Sequence, residues 1–170
     1  MYIFLTSGTA EFMEQVKAKH PKENMILVHG DGNSVLIHET KGKSVFATPR
    51  KFEVLDSAQQ LEDRGYFVFN NIPVLEEARP VFEHRFLNRA RAIEEEPGFI
   101  SFRLLRPLNG DTYIVITQWN GPHSFEAWKN SKAYKSAHAT NEEPSTVRQQ
   151  NIFSAASYIS TYSVANKEED

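Results

Sequence analysis

Residues 99–119, FISFRLLRPLNGDTYIVITQW, contain two apolar runs rich in β-branched and aromatic residues, separated by a turn sequence. Asn109 and Gly110 lie at the centre of that turn. An Asn-Gly pair between two apolar runs is typical of a β-hairpin. We therefore predict antiparallel strands over residues 99–105 and 112–119. The elements on either side of this hairpin decide the fold.

The segments before the hairpin predict a strand and then a helix. Residues 66–69, YFVF, combine aromatic and β-branched side chains, which favour a strand. A helix is expected to begin near Arg79-Pro80, because proline suits the first helical turn, and to end at Pro97-Gly98. Its apolar stripe consists of Phe82, Phe86, Ala90 and Ile93.

The segments after the hairpin predict two short helical pieces within residues 122–139 and a last strand over residues 152–164. Ser131 is a good N-cap for the second piece, so we expect a break between the two. The order from Tyr66 onward is therefore β-α-β-β-α-β. This is the ferredoxin-like pattern of the α+β class, in which two helices cover one face of an antiparallel sheet.

The first 64 residues resemble the start of the second half. MYIF, EFMEQVKAKH and MILVHG-DGN-SVLIH parallel YFVF, RPVFEHRFLN and FISFRLL-NGD-TYIVIT, and a second helix is missing from this first copy. A sheet with helices on one side needs a cover for its other face. We predict that residues 1–64 pack on residues 65–165 as an internal pseudo-dimer, that the chain is a monomer, and that residues 166–170 are a frayed tail. Further strands are expected at residues 44–47 and 52–55.

Composition limits the possible functions. The chain has 170 residues, no cysteine and a formal net charge of −3. Disulfides, iron–sulfur clusters and zinc–thiolate sites are therefore excluded, and the weak negative charge argues against a nucleic-acid partner. No phosphate loop or nucleophile elbow is present, which argues against kinases and hydrolases. The first residues do not read as a signal peptide or membrane span, so we expect a cytoplasmic protein.

Trp128 and His138 stand out because they place a flat aromatic group near a possible metal ligand. An unbroken helix would separate them by about 15 Å along its axis, so only a break between them allows one cavity. Each has an ordinary alternative: a tryptophan in an amphipathic helix usually packs on a sheet, and a histidine near a helix end often faces water.

Asn70 is a third candidate. Strand alternation places Tyr66, Val68 and Asn70 on one face, with Phe67 and Phe69 on the other. The pair Asn70-Asn71 is also how a strand can end in a turn. A buried amide without a partner costs about 1–3 kcal/mol, so a buried Asn70 would imply a ligand.

These residues carry a resemblance to a known family. The second half, residues 66–164, resembles the haem-degrading monooxygenases of the Isd type, within the antibiotic-biosynthesis-monooxygenase (ABM) superfamily. The matching motifs are FVFNN with Asn70, EHRF ending at Phe86, and EAWKNSKAYKSAH with Trp128 and His138. Over its whole length the chain is similar to the two-domain HmoB-type members of that group and to the staphylococcal TRAP proteins.

The resemblance implies that haem is both cofactor and substrate, used with O2 and an external electron donor. His138 would be the axial iron ligand, and Trp128 would press the porphyrin out of plane, which directs oxygen to the ring. Asn70 would donate a hydrogen bond to the oxygen that the iron binds. Candidate partners for the haem propionates are the cations Arg85, Arg89, Lys132 and Lys135, although solvated charge is the ordinary interpretation of each.

The resemblance leaves three functions open. The first is an oxygen-dependent haem monooxygenase that opens the porphyrin and releases iron. The second is a non-enzymatic haem-binding or signalling protein of the TRAP type. The third is a cofactor-free monooxygenase of aromatic substrates, which would tolerate the loss of His138.

Overall fold

A computed structural model describes residues 1–89, 91–131 and 152–165. Within them lie eight strands and three α-helices, with one short 3-10 helix before the second α-helix and another after it. The strands are β1 (Tyr2–Gly8), β2 (Met25–His29), β3 (Ser34–Thr40), β4 (Arg50–Ala58), β5 (Tyr66–Pro73), β6 (Phe99–Pro107), β7 (Thr112–Trp119) and β8 (Tyr158–Ser163). The helices are α1 (Ala10–Ala18), α2 (Arg79–Leu87) and α3 (Pro122–Lys129), and the 3-10 helices are Glu76–Ala78 and Ala92–Glu95.

The eight strands close into an antiparallel barrel in the order β1-β3-β2-β8-β5-β7-β6-β4. The predicted hairpin of β6 with β7 is present, and the parallel segment in the first 64 residues forms a second hairpin, β2 with β3. Gly32 and Gly110 adopt positive φ angles of 84° and 104° in their turns, a conformation that glycine tolerates. The ferredoxin-like antiparallel fold of the α+β class is confirmed, and the closure of the sheet into a barrel is added by the structure.

The two runs of four strands have the same internal order, β4-β1-β3-β2 and β8-β5-β7-β6. β4 of the first run pairs with β6 of the second, and β8 of the second pairs with β2 of the first at His29 and Ser163. The division at residue 65, the pseudo-dimer and the monomeric state stay predictions. The tail, residues 166–170, lies outside the described residues.

The core fills the inside of the barrel, because each strand turns its alternate apolar side chains inward. On β5 these are Phe67 and Phe69, as the alternation predicted. They pack with inward residues of both runs, namely Ile3, Leu5, Ile26, Val28, Val35, Ile37, Phe52, Leu105, Ile114 and Ile116. The sheet face that a lone ferredoxin-like half would leave bare is thereby buried.

One ion pair lies within the barrel and links strands of the two runs. Arg103 on β6 donates from Nε to a carboxylate oxygen of Glu39 on β3 at 2.6 Å, and the two side chains are only 5% and 10% exposed. Arg103 also donates to the backbone oxygens of Ala58, Gln59 and Phe102. This network satisfies a charge that would be costly to bury alone.

Three predicted elements differ from the structure. In the first two, local side-chain hydrogen bonds compete with the regular element, and in the third a long-range backbone bond does so. α2 ends at Leu87, where the Asn88 amide donates to the backbone oxygen of His84 at 2.8 Å. Residues 44–47 form no strand, since the Ser44 hydroxyl accepts from the backbone of Phe46 at 3.0 Å. β8 begins at Tyr158, because the backbone of Ile152 is already bonded to Leu75 beyond the end of β5.

Candidate functional site

The candidate residues lie on the outer face of β5, β7 and β6, beneath α2 and α3. Val68, Asn70 and Ile72 point outward from β5, opposite to the phenylalanines of the core. Val68 belongs to an apolar cluster with Trp119 and Phe125, whereas Ile72 belongs to a second cluster around α2. Asn70 therefore lies between two apolar patches of the same face.

Asn70 is half-buried and pairs through the backbone with Val115 of β7 and Ile159 of β8. Its side-chain amide forms no hydrogen bond with any described residue. The adjacent Asn71 points into the barrel, where its amide donates to Phe69 O at 3.1 Å and Tyr158 O at 3.2 Å. The two amides thus differ. That of Asn71 holds strands together, whereas that of Asn70 is available to a ligand.

Trp128 projects from α3 and packs against the buried Trp119 of β7. Their ring centroids are 5.6 Å apart and their planes are inclined by 31°, and Phe125 lies 6.2 Å from Trp128. Trp119 is 0% exposed, and its indole N–H donates to the hydroxyl of Thr117 at 3.0 Å. Trp128 itself is half-buried. It is therefore partly core, as its ordinary alternative holds.

Local sequence fixes where α3 begins. Pro122 lies in its first turn, where proline is favoured, and the Asn120 backbone N–H donates to Gly98 O at 2.8 Å. Gly98 has a φ angle of +84°, and a Cβ there would collide with the side chains of Ser124 and Asn120. Gly98 thus lets the start of α3 approach β6 closely enough to position Trp128 over the sheet.

Arg89 follows α2 and lies flat over aromatic rings of the same outer face. Its guanidinium carbon is 4.2 Å from the ring centroid of Phe102 and 4.8 Å from that of Phe86. Nη1 is 3.9 Å from a carboxylate oxygen of Asp56, which is beyond hydrogen-bond distance. Within the described residues, both terminal nitrogens are buried without a hydrogen-bond partner.

Burial lowers the pKa of Arg89 below its usual value, and the nearby carboxylate of Asp56 opposes that shift only in part. The side chain is 19% exposed. Asp56 is also bound more closely by Arg91, with contacts of 3.0 and 3.1 Å. Arg89 is thus a buried cation whose counter-charge is shared, which is the electrostatic condition for binding an added anion.

A second network lies at the middle of α2. Glu83 accepts hydrogen bonds from Arg106 of β6 and from the phenol of Tyr113 of β7. The bonds from Arg106 hold the pKa of Glu83 below its usual value of 4.5, although burial acts in the opposite direction. Arg106 also binds Glu53 of β4 at 2.8 Å. All charges here have partners, so this network is structural.

The other predicted site residues divide into two groups. Arg85 is exposed and has no salt bridge within the described ranges, in agreement with an ordinary solvated charge. Lys132, Lys135 and His138 lie outside the described residues. Across the parts of the chain that the structure describes, no group of three or more histidine or carboxylate side chains could hold a metal.

Two residues of the face were missed by the sequence analysis. Trp119 had been assigned only to the end of a strand, although alternation along β7 places it outward with Thr117 and Val115. Asp56 fell just beyond the strand predicted at residues 52–55, and β4 in fact runs through it to Ala58. A register shift between Val54 and Asp56 in the pairing with β6 obscures the period there.

The candidate site is an apolar surface with the amide of Asn70 at its middle. The indole of Trp128 lies on one side, and the guanidinium of Arg89, whose buried nitrogens lack a described hydrogen-bond partner, lies on another. Such a surface suits a flat apolar molecule that carries an acidic substituent. None of the described helices is long and apolar enough to cross a membrane.

Known proteins resemble this chain in sequence. Residues 65–140 match the family model described as "Antibiotic biosynthesis monooxygenase". A heme-degrading monooxygenase of Listeria monocytogenes is 27% identical over 133 residues, which cover 78% of this chain and 80% of that protein. The signal transduction protein TRAP of Staphylococcus epidermidis is 26% identical over 134 residues, 79% of this chain and 80% of that protein.

A solved structure shares the fold over almost the whole chain. The structure of a major regulator of staphylococcal pathogenesis superposes with a TM-score of 0.85 at 23% identity, covering 98% of this chain and 100% of that one. The resemblance drawn from the motifs is thereby confirmed. The chain contains an ABM domain over residues 65–140 and has heme-degrading monooxygenases and TRAP proteins among its homologues.

Proposed function

We propose that the chain is an oxygen-dependent haem monooxygenase that binds haem on the outer face of the ABM domain, opens the porphyrin and releases iron. The observation that carries this proposal is the burial of the Arg89 guanidinium on the apolar face. The terminal nitrogens of this guanidinium are buried without hydrogen-bond partners among the described residues, which favours the binding of an added anion. Its setting on an apolar face requires that anion to belong to a largely apolar molecule.

Haem has this combination of properties, because it is an apolar disc with two anionic propionates. A propionate on Arg89 would form the charge-assisted hydrogen bonds that Asp56 is too distant to provide. Arg89 lies over Phe102 of β6, and Asn70 lies on β5, two strands away. The strand registers place Phe102 level with Val68, two residues from Asn70, so the separation combines about 9.6 Å across the sheet with about 6.7 Å along it, or roughly 12 Å. Haem with its propionates can span that distance.

His138 is the proposed axial ligand of the haem iron, through a neutral imidazole nitrogen. Bound haem supplies the iron at which O2 is activated. Trp128 is proposed to form one wall of the site and to bend the porphyrin. Trp119 packs behind Trp128 and holds its indole in position. Asn70 is proposed to donate a hydrogen bond to the reacting oxygen from its free amide. Lys132, Lys135 and Arg85 are further proposed contacts for the propionates.

The reaction needs electrons that the chain does not supply, since its sequence contains no nucleotide-binding motif. An external reductase or small reductant is therefore part of the proposal. A cytoplasmic location, where such donors are present, stays a prediction.

The similarity to TRAP proteins supports a second candidate, a haem-binding or signalling protein without turnover. This candidate would bind haem in the same place but leave it intact. The third possibility, a cofactor-free monooxygenase, would act on an aromatic substrate with no haem bound.

The test is a titration of the purified protein with hemin, followed by ascorbate in air with catalase present. We expect saturable binding of one hemin per chain and then loss of the Soret band. His138→Ala should abolish the ligand-dependent spectrum, whereas Trp128→Ala should bind hemin and turn it over slowly.

Each outcome separates the candidates. Stable hemin binding without Soret loss favours the non-enzymatic function, and the absence of saturable binding contradicts haem as substrate. An unchanged spectrum in His138→Ala removes the ligand assignment. Normal turnover in Trp128→Ala contradicts the bending role of that indole.

A further inference from the structure

A second concave site lies at one mouth of the barrel, on the opposite face of β5 from the proposed haem site. It is a cavity of about 450 Å³. That volume falls within the range of small-molecule sites in proteins. Its lining comes from β1, β3, β4, β5 and β8, so both runs of four strands contribute to it.

The cavity has an apolar floor. Phe69 and Tyr162 form part of it, with ring centroids 4.9 Å apart and planes inclined by 58°, and Leu5 and Val35 complete it. Gly30 makes room for the tyrosine, since a Cβ at that position would lie 2.8 Å from the Tyr162 ring. Leu5, Val35 and Phe69 are almost fully buried and Tyr162 is half-buried, so a ring of a ligand would pack mainly against Tyr162.

The rim is polar, and Asn71 is its most buried member at 3% exposed. The amide nitrogen of Asn71 is fully used, with bonds to Phe69 O, Tyr158 O and the Ser160 hydroxyl at 3.1 to 3.3 Å. These bonds fix the orientation of the amide. Its carbonyl oxygen receives no hydrogen bond from any described residue, so it is an acceptor for a ligand.

Arg50 is the charged residue of the lining, and it is exposed, as is its neighbour Lys51. Its guanidinium lies 5.3 Å from the ring centroid of Phe52 and forms no salt bridge within the described residues. Arg89, by contrast, belongs to the other face of the sheet. The barrel mouth therefore has its own cation, its own acceptor and its own apolar floor.

We propose that this barrel mouth binds a small aromatic carboxylate that also carries a hydroxyl group. The carboxylate pairs with Arg50, the ring lies on Phe69 and Tyr162, and the hydroxyl donates to the carbonyl oxygen of Asn71. The site is independent of haem, because none of its residues belongs to the proposed haem-binding face.

The probe is 4-hydroxybenzoate, added to the haem-free full chain while amide chemical shifts are followed by NMR. We expect saturable shifts at Phe69, Ser160 and Tyr162. Benzoate, which lacks the hydroxyl, and 4-hydroxybenzyl alcohol, which lacks the carboxylate, should each bind about tenfold more weakly, because each leaves one polar group without its partner.

The variant Arg50→Gln should weaken 4-hydroxybenzoate binding about tenfold or more. Lys51→Gln is the matched control, since it removes the same charge from the adjacent exposed residue, on the other face of β4, and should leave binding unchanged. Absence of saturable shifts at millimolar probe, equal loss in both variants, or equal binding of all three compounds would overturn the proposal.

Discussion

The outer faces of the two runs of strands are covered in contrasting ways. Over the first run, α1 packs Met13 on an apolar cluster with Met25, Leu27 and Leu36. The fully buried His38 bonds its Nε2 to Glu23 at 2.9 Å, and its Nδ1 has no hydrogen-bond partner among the described residues. Over the second run, the half-buried side chain of Asn70 has no described partner, and the buried end of Arg89 has none either.

The two runs share their strand order but differ in the side chains and helices that the strands carry. Thr6 pairs with Leu36 as Asn70 pairs with Val115, so threonine occupies the place of the proposed catalytic amide. Only nine residues separate β3 from β4, and they contain no helix that would correspond to α3. A site of the proposed kind can therefore form only in the second run, which illustrates that function depends on residues carried by a fold.

The largest effect should come from breaking the internal link between the runs. Arg103→Met leaves the carboxylate of Glu39 buried without its cation, and this should lower the free energy of unfolding by about 3–5 kcal/mol. Urea denaturation monitored by tryptophan fluorescence measures the change.

The control is Arg64→Met, which breaks an exposed pair with Glu62 and should cost less than about 1 kcal/mol. The double variant Arg103→Met with Glu39→Leu should recover part of the loss, because no charge is then left buried. A loss in Arg103→Met as small as that of the control would contradict the role of the pair.

A smaller effect should separate Arg89 from Arg85, two arginines four residues apart, of which only Arg85 lies within α2. Arg89→Gln should weaken hemin binding about tenfold or more, because the variant loses a charge-assisted bond to a propionate. Arg85→Gln removes the same charge from an exposed position and should change the affinity less than about twofold.

The stability of the haem-free protein sharpens this test. Arg89→Gln removes a buried cation with unpartnered nitrogens while Asp56 keeps its contacts to Arg91, so the free energy of unfolding should not fall. If affinity and stability fall together, Arg89 supports the fold and the propionate assignment fails.

Local pattern predicted the parts of the fold that depend on neighbours in sequence. The hairpin of β6 and β7 and the helix start near Pro80 both follow from such signals. Alternation also placed Asn70 and Phe69 on opposite faces of β5. These features need no knowledge of the rest of the chain.

Barrel closure was not predicted, because the pairing of β4 with β6 joins segments about fifty residues apart. Asp56 enters the site only through that pairing, and a register shift beside it hides the alternation. The burial of Arg89 likewise depends on Phe102, a residue of another strand. Motif spacing proposed Arg89 as one of four cations, and only packing distinguishes it from Arg85.

The smallest effect should come from the outer link between the runs, where Arg106 of β6 joins Glu53 of β4 to Glu83 of α2. Glu83→Gln removes charge-assisted hydrogen bonds and should cost about 1–2 kcal/mol at neutral pH. The exposed Glu77 offers a control, since Glu77→Gln should change stability by less than about 0.5 kcal/mol.

The pH dependence of that cost identifies its origin. Because hydrogen bonds from Arg106 lower the pKa of Glu83 in the folded state, its ionised form stabilises the fold fully above the unfolded pKa, near 4.5. This stabilisation is lost as the pH falls through the lower pKa of the folded state. The difference between the wild type and Glu83→Gln in urea denaturation should therefore shrink below pH 4.5. If the difference in unfolding free energy stays constant down to about pH 3, the loss in Glu83→Gln comes from side-chain packing, because packing does not depend on the ionisation of Glu83.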